Sequence, residues 1–235
     1  MDSSYATARL GKPPLRFRYR TRALVAFQAF GHHGPSTRHP RVVDFGAAEA
    51  LSLLELRELF DGEGDFVGIE YARDLVQRAP ALPSNVELHL GDVTQLPPSH
   101  AVDSYDLVTS HALLEHLSDP GAALREAYRI LKPGGLFVAT VPSPTWDSLA
   151  TRLGLVKGEH HESRLDRDKL SELVADAGLE EVDFRRFMFA PVSFLPYLRV
   201  PVPIRPALFL DSLVHSVPFT GWMFVNQVIT ARKQE

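Results

Sequence analysis

Acidic and polar side chains stand at the ends of four apolar runs in the first half of the sequence. Asp44 and Gly46 close the first run, and Glu70 ends the second. Asp92 follows the third run, and Ser110 and His111 follow the fourth. Carboxylate oxygens accept hydrogen bonds from paired hydroxyls or from an amine. This set of residues favours a ligand that carries a ribose and an amino-substituted base.

Two of these carboxylates suit adenosine. Glu70, in "GIEYARD", can accept hydrogen bonds from both hydroxyls of a ribose, and Asp92, in "GDVTQLP", can accept one from the exocyclic amine while Val93 packs on the base. Each also has a simpler interpretation: Glu70 caps the next helix, and Asp92 forms a turn. Their joint occurrence at successive strand ends favours adenosine.

The turn "VVDFGAAEA", Val42 to Ala50, narrows the choice of ligand. A dinucleotide needs a Gly-x-Gly-x-x-Gly turn that brings its pyrophosphate against a helix N-terminus. Here Gly46 is followed by Ala48 and Leu51 at the other two positions. NAD and FAD are therefore poor candidates, and the lack of an evident Tyr-x-x-x-Lys pair also disfavours an NAD-dependent oxidoreductase. A ligand without phosphate fits this turn better.

Alternating strands and helices must hold these residues. The runs "RVVDF", "FVGIE", "VELHL", "YDLVTS" and "GLFVATV" read as buried parallel strands, and "AEALSLLELRELF" and "PGAALREAYRIL" have helical spacing. The alternation predicts an open α/β sheet with helices on both faces. In such sheets ligands lie beyond the carboxyl ends of the strands, which is where the polar residues fall.

Composition sets outer bounds on function. A chain of 235 residues with 45% hydrophobic residues suits one large domain, and a net charge of −4 gives no reason to expect a nucleic acid partner. The absence of cysteine excludes disulfides and thiolate chemistry. No apolar run has the length of a spanning helix, and "MDSSYATARLGKPPLRFRYR" lacks a signal-peptide core. We expect a cytoplasmic protein.

From about Arg41 to Phe187 the chain resembles class I S-adenosylmethionine-dependent methyltransferases that act mostly on small molecules. The resemblance rests on "VVDFGAAEA", "FVGIEYARDLVQRA" and "GDVTQLP", and most specifically on "DSYDLVTSHALLEHLSDPGAALREAYRILKPGGLFVATVPSP". It implies a Rossmann-like, doubly wound sheet of seven strands in the order 3-2-1-4-5-7-6, with strand 7 antiparallel. Ala48 and Ala50 depart from the family's second and third glycines.

The resemblance also implies S-adenosylmethionine as the cofactor and assigns its binding residues. Gly46 and the neighbouring backbone, including Ala47, would hold the methionine part, and Asp44 would support the turn and its ligand through hydrogen bonds. Glu70 would hold the ribose, and Asp92 with Val93 the adenine. Tyr71 and Ser110, beside two of these strand ends, complete the predicted cofactor site.

We expect a single domain over residues 1–235. Residues 1–40 form an N-terminal helical cover, residues 41–187 the cofactor-binding core, and residues 188–222 an apolar, proline-rich insertion before the last strand. Proline excludes a long regular helix from the first half of the insertion. Four interpretations of the stretch from Pro191 to Gly221 stay open: a packed insertion, a substrate lid, a homodimer interface, or a membrane-leaning surface that admits a lipidic substrate.

The arginines of "LRFRYRTRALVAFQAF" pose a related choice. They alternate with aromatic residues, so a helix would spread their charge around its circumference. In the simpler interpretation, this segment is a solvated first helix that covers the cofactor site. In the alternative interpretation, its arginines bind a partner that carries a phosphate or a lipid headgroup.

Histidines are the candidate catalytic residues. Methyl transfer to a hydroxyl needs positioning and a base, and histidine serves as a base near neutral pH. His111 follows the fourth strand, and His160 and His161 lie in the loop after the fifth. We interpret His116 as structural. Related enzymes bind a divalent cation through a Glu-x-x-Glu-His cluster, but its first glutamate is Ala112 here, so we expect no metal.

These observations predict an enzyme that transfers a methyl group from S-adenosylmethionine to a small molecule, with a hydroxyl oxygen as the expected acceptor. Trp146, Trp222 and the apolar insertion favour an apolar, aromatic or lipidic acceptor. The alternative is a non-catalytic protein that binds an adenosine ligand or serves as a scaffold, with the alanine turn as a sign of lost function.

Overall fold

A seven-stranded sheet forms the centre of the molecule. The computed structural model describes residues 13–146, 148 and 165–234. The strands are β1 (Arg41–Phe45), β2 (Asp65–Glu70), β3 (Val86–Leu90), β4 (Tyr105–His111), β5 (Leu131–Pro142), β6 (Leu179–Phe189) and β7 (Phe224–Lys233). Their spatial order is β3-β2-β1-β4-β5-β7-β6. β1 to β5 are parallel, and β7 runs antiparallel to both of its neighbours, which confirms the predicted topology.

Helices connect the strands. The α-helices are α1 (Pro13–His33), α2 (Leu51–Leu59), α3 (Arg73–Val76), α4 (Pro120–Ile130), α5 (Arg167–Asp176), α6 (Ala190–Ser193) and α7 (Ile204–His215), and short 3-10 turns occupy Leu114–His116, Leu195–Leu198 and Thr220–Met223. Asp119 and Asp166 accept backbone N–H hydrogen bonds at the starts of α4 and α5, as N-cap residues do. None of the helices in this described part of the chain combines the length and apolar character needed to cross a bilayer.

Two hydrophobic layers enclose the sheet. On one face Phe45 and Phe137 pack with the buried sides of α4 and α5, and on the other Leu136 and Val138 pack with α1, α2 and α7. Neighbouring residues of one strand thus enter opposite layers, because side chains alternate across a sheet. Burial on both faces explains why the parallel strands read as continuous apolar runs.

α1 runs from the carboxyl edge of the parallel strands towards the opposite edge. Near its middle, Arg22 Nη2 lies 3.4 Å from Oδ1 of Asn226, a residue paired with Pro142 at the end of β5. At its end, the carbonyl oxygen of His33 accepts a hydrogen bond from Arg232, which pairs near the start of the parallel part of β5. The N-terminal half of α1 therefore lies towards the edge where the predicted ligand site is found.

One strand begins earlier than its apolar run predicts. "GLFVATV" predicts a strand from residue 135, whereas β5 begins at Leu131 and includes "KPGG". Leu131 pairs with Tyr105, the register then shifts, and regular pairing resumes between Leu107 and Leu136. Gly134 adopts a φ of 76°, which lets the chain pass through this irregularity.

Candidate cofactor and acceptor site

The turn after β1 has a left-handed backbone at three positions. The φ angles are 71° at Gly46, 49° at Ala48 and 63° at Ala50. The N–H groups of Gly46 and Ala47 both donate to the carbonyl of Ile69 in β2, at 2.9 and 3.1 Å. The turn is thus tied to the neighbouring strand, and two alanines adopt a conformation that favours glycine.

Glu70 lies between this turn and the next helix. Its Oε2 accepts the N–H of Ala48 at 2.9 Å, and its Oε1 accepts the N–H of Ala72, the N-cap residue of α3, at 2.8 Å. Each oxygen of an ionised carboxylate has a further lone pair, so these bonds leave acceptor capacity for a ribose. The capping interpretation and the ribose interpretation of Glu70 are therefore compatible.

Asp92 and Val93 follow β3. Asp92 Oδ1 accepts hydrogen bonds from the N–H and the hydroxyl of Thr94, at 2.8 and 2.7 Å, which is the turn geometry expected of an aspartate. Asp92 is exposed, and Oδ2 has no hydrogen bond to the described residues. Val93 is buried and belongs to the same hydrophobic cluster as Ile69, so most of its surface already packs against protein.

Polar pairs join the ends of β1, β4 and β5. The Thr109 hydroxyl donates to Asp44 Oδ1 at 2.7 Å, and both residues are buried. Ser110 is buried, and its hydroxyl oxygen has no hydrogen bond within the described part of the chain. His111 Nδ1 lies 3.2 Å from Thr140 Oγ1 on β5. Thr109 and Thr140 were missed by sequence reasoning, although both occupy strand ends beside predicted site residues.

The remaining predicted residues lie in different surroundings. Tyr71 is 79% exposed directly after Glu70. Leu113, in the loop after β4, fills the space beside Gly46, because a Cβ on Gly46 would lie 2.9 Å from Leu113 Cδ1. His160 and His161 lie outside the described residues.

Two further carboxylates at this edge are buried, and the sequence interpretation did not place them in the site. Glu49 stands in the turn after β1 and Glu115 in the short 3-10 turn after β4, and both side chains are almost completely buried. Acidic residues within otherwise apolar loops, as in "AEA" and "LLEHL", are the signal that marks them. Within the described ranges, no three metal-ligating side chains come together as a cation site.

Aromatic side chains gather between the end of β5 and the segment 190–223, which joins β6 to β7 and is called the insertion below. Trp146 Nε1 donates to the carbonyl of Trp222 at 2.7 Å. The Trp146 and Phe194 rings lie 5.6 Å apart, and the Phe194 and Tyr197 rings 5.9 Å apart. This cluster, which is defined by these four residues, is an apolar neighbour of the strand ends.

A buried aspartate fixes the insertion to the sheet. Asp211 of α7 accepts the N–H groups of Met188 and Phe189 at the end of β6, at 2.6 and 2.9 Å. Burial raises the pKa of Asp211, while these two hydrogen bonds and the charge of Arg185 act in the opposite direction. Burial also lowers the pKa of the Arg185 guanidinium.

The residues at this edge fit S-adenosylmethionine. Glu70 offers acceptors at the end of β2 and Asp92 at the end of β3, which matches the two hydroxyls and the amine of adenosine. The two strands are adjacent and parallel, so both carboxylates reach one edge. The turn after β1 carries no phosphate-binding glycine array.

Comparison with known proteins identifies the family of the chain. The family model of the methyltransferase domain matches residues 16–183. A ubiquinone biosynthesis O-methyltransferase from Cereibacter sphaeroides is 30% identical over 165 residues, which cover 66% of this chain and 66% of the relative. Across four curated relatives the aligned region spans 31 to 66% of the relative's length.

Solved structures share the fold. A protein described as a methyltransferase, in complex with the Haloferax volcanii Trm112 methyltransferase activator, superimposes with a TM-score of 0.69 at 22% identity, covering 99% of this chain and 95% of that one. An S-adenosylmethionine-dependent methyltransferase from Archaeoglobus fulgidus superimposes with a TM-score of 0.66 at 15% identity. The superposition covers 99% of this chain and 100% of that one. The matched family model shows that the chain belongs to the methyltransferase-domain family, and the solved structures share its class I S-adenosylmethionine-dependent methyltransferase fold.

Proposed function

We propose that this protein methylates a hydroxyl oxygen of a small, apolar or aromatic molecule. The observation that carries the cofactor half of the proposal is the pair of carboxylates, Glu70 and Asp92, at the ends of adjacent parallel strands. S-adenosylmethionine supplies a methyl group on a positively charged sulfur. Glu70 accepts hydrogen bonds from the ribose hydroxyls, and Asp92 accepts one from the adenine amine through Oδ2.

His111 is the proposed base. It is the last residue of β4, at the same edge, and Thr140 fixes its ring by a contact of 3.2 Å to Nδ1. In this role the imidazole would take the proton of the acceptor hydroxyl as the new oxygen–carbon bond forms and the bond between the methyl carbon and the donor sulfur breaks. The sulfur would keep that electron pair as a neutral thioether, the product would be a neutral ether, and His111 would leave the step protonated. His160 and His161 are further candidates for the same role.

The acceptor class rests on the aromatic cluster of Trp146, Phe194, Tyr197 and Trp222. Aromatic rings bind flat apolar molecules through burial and ring stacking. The cluster adjoins the end of β5, one strand away from His111. The relative from Cereibacter sphaeroides is named an O-methyltransferase, which supports oxygen as the acceptor atom.

Calorimetric titration with S-adenosylmethionine, S-adenosylhomocysteine and NAD tests the cofactor. We expect the two sulfur compounds to bind and NAD to give no heat. Mass spectrometry with a deuterated methyl donor then screens phenols and catechols against matched anilines and thiophenols. Label on the phenols supports the proposal, and label confined to the nitrogen or sulfur compounds contradicts the oxygen assignment. Binding of the sulfur compounds with no transfer to any acceptor favours the non-catalytic alternative.

His111→Gln tests the base. We expect turnover to fall by about 10² or more with cofactor affinity unchanged, because a base acts on the acceptor and not on adenosine. Thr140→Val is the companion variant, since it removes the contact to Nδ1 while His111 is retained. Its turnover should fall less than that of His111→Gln. Full turnover in His111→Gln would remove His111 from the mechanism.

A further inference from the structure

The insertion presents an apolar stripe to solvent along α7. Phe209 and Leu213 are four residues apart and share one side of the helix, and Arg205 lies on the same side one turn earlier. Ala207 and Asp211 lie buried on the other side. Phe209 is 66% exposed and Leu213 is 51% exposed. This side of α7 therefore leaves more than half of its large apolar side chains exposed to solvent.

Further large apolar side chains flank α7 on both sides. They are Tyr197, Leu198, Val200, Val217, Phe219 and Trp222, all of which are exposed. Phe219, at 95%, is more exposed than any other large apolar residue in the described part of the chain. Clusters of this kind on a surface mark contact with a partner or a membrane, whereas single exposed apolar residues do not.

The charge of this region is opposite in sign to that of the whole chain. α1 and the insertion together contain six arginines and one acidic residue, Asp211, whereas the chain has a net charge of −4. Asp211 lies on the buried side of α7, where its side chain accepts hydrogen bonds from the end of β6. The exposed charge of the region is therefore positive.

Contacts join the arginines of α1 to the insertion. A cleft of about 540 Å³ lies between them and is lined by Arg16 and Phe17 of α1, by Arg205, and by prolines of the insertion. The Arg18 guanidinium lies 5.9 Å from the centre of the Tyr197 ring. Arg20 is paired with Glu55 of α2 at 2.7 Å, and the cleft contains none of the strand-end residues described above.

We propose that α7, its exposed flanks and the N-terminal half of α1 form a docking face for an anionic lipid bilayer. Phe209, Leu213 and Phe219 enter the interfacial region, while Arg16 and Arg205 contact lipid phosphates. A second copy of the chain fits this face less well, because two positive surfaces would meet. Since the insertion joins the carboxyl-edge ends of β6 and β7, docking holds the cofactor edge beside the membrane.

Vesicle flotation tests the proposal. The full chain is mixed with vesicles of phosphatidylglycerol and phosphatidylcholine, or of phosphatidylcholine alone. We expect flotation with the anionic vesicles, weaker flotation with the neutral ones, and loss of binding when salt is raised from about 0.1 M to about 1 M, where charges are screened within a few ångströms.

Matched variants locate the face. The double variant Phe209→Ser/Leu213→Ser should lower the vesicle partition coefficient about tenfold or more, because both side chains lose their apolar insertion. Arg16→Gln/Arg205→Gln should lower binding to anionic vesicles while leaving binding to neutral vesicles unchanged. Val102→Ser is the control, since Val102 is 58% exposed before the start of β4 at the opposite edge. Thermal unfolding verifies that every variant is folded.

Several results would overturn the proposal. One is absence of flotation with anionic vesicles, and another is equal binding by the parent chain and the folded Phe209→Ser/Leu213→Ser variant. A third is a dimer in light scattering that this variant dissociates while vesicle binding is absent, which would assign the face to self-association. Cofactor titration does not depend on vesicles, so a negative result here leaves the proposed chemistry intact.

Discussion

At the scale of single residues, the turn after β1 stores backbone strain beside the cofactor site. A residue with a Cβ in the left-handed region is less stable by about 1–2 kcal/mol than in the right-handed region. Ala48 and Ala50 adopt this conformation after β1, and Ala112 does so after β4. The sequence shows which glycines are replaced, but it does not show whether the chain keeps the glycine conformation.

Ala48→Gly tests this strain. Relief of the left-handed penalty is offset by the loss of a buried methyl, about 0.8 kcal/mol, and by greater freedom of the unfolded chain, about 0.4–1 kcal/mol. We expect the free energy of unfolding to change by less than about 1 kcal/mol and cofactor affinity to be equal or better. Ala48→Val, which adds a β-branched side chain at the same φ, should be markedly destabilised in chemical denaturation. Similar stability of the two variants would argue against a left-handed turn.

Glu70→Gln tests the ribose contact. The substitution keeps the shape but removes the charge, so cofactor binding should weaken by about 1.5–3 kcal/mol, the range for hydrogen bonds to a charged group. Calorimetric titration measures the effect. Asp65→Asn, at the opposite end of the same strand, serves as the control and should bind as the parent does. An unchanged affinity in Glu70→Gln would place Glu70 outside the site.

At the scale of elements, the sequence predicts the sheet well because its strands are buried on both faces. "RVVDF" and "VELHL" coincide with β1 and β3, and the turn residues around them mark their limits. The arrangement of the insertion is harder to predict, since it depends on contacts distant in sequence. Asp211, within "LFLDSLVH", is buried and holds the end of β6. Only the fold reveals that contact.

Asp211→Ala should release α7 from the sheet. The N–H groups of Met188 and Phe189 would lose their acceptor, and an unpaired buried donor costs about 1–3 kcal/mol. We expect a loss of about 2–4 kcal/mol in the free energy of unfolding, together with faster hydrogen exchange in α7. Ser212→Ala, at the exposed neighbour whose hydroxyl bonds only within the helix, should lose less than about 1 kcal/mol. A loss no larger in Asp211→Ala would show that α7 docks by apolar contacts alone.

At the scale of the whole molecule, acid stability depends in part on a histidine far from the site. His100 is buried near the start of β4, with Nδ1 2.9 Å from the Tyr105 hydroxyl. Burial lowers the pKa of His100, and His89 and Arg129 act in the same direction. As pH falls below about 6.5, the unfolded chain takes up the proton before the folded one, so the protein loses stability.

Thermal unfolding from neutral to mildly acid pH measures this dependence. His100→Gln should flatten the decrease of Tm below about pH 6.5, even if its Tm at neutral pH is lower. His32→Gln, at an exposed histidine, is the matched control variant. Equal slopes in the parent and His100→Gln would assign the acid sensitivity to other groups.

The candidate site was only partly predictable for a related reason. The carboxylates at the ends of β2 and β3 follow from the alternation of strands and helices, which sets the edge where they meet. Leu113 beside Gly46 and Thr140 beside His111 arise from loop packing and strand register, which no local pattern encodes.

The position of β7 has a consequence for synthesis of the chain. β6 pairs with β7, and β7 also pairs with β5. β7 is the last strand of this sheet in chain order, so β6 leaves the ribosome before the strand with which it pairs. The first five strands can assemble in the meantime. Contacts between such distant segments slow folding and leave strand edges open in the meantime. We expect the nascent chain to be most prone to aggregation in the interval between the emergence of β6 and that of β7.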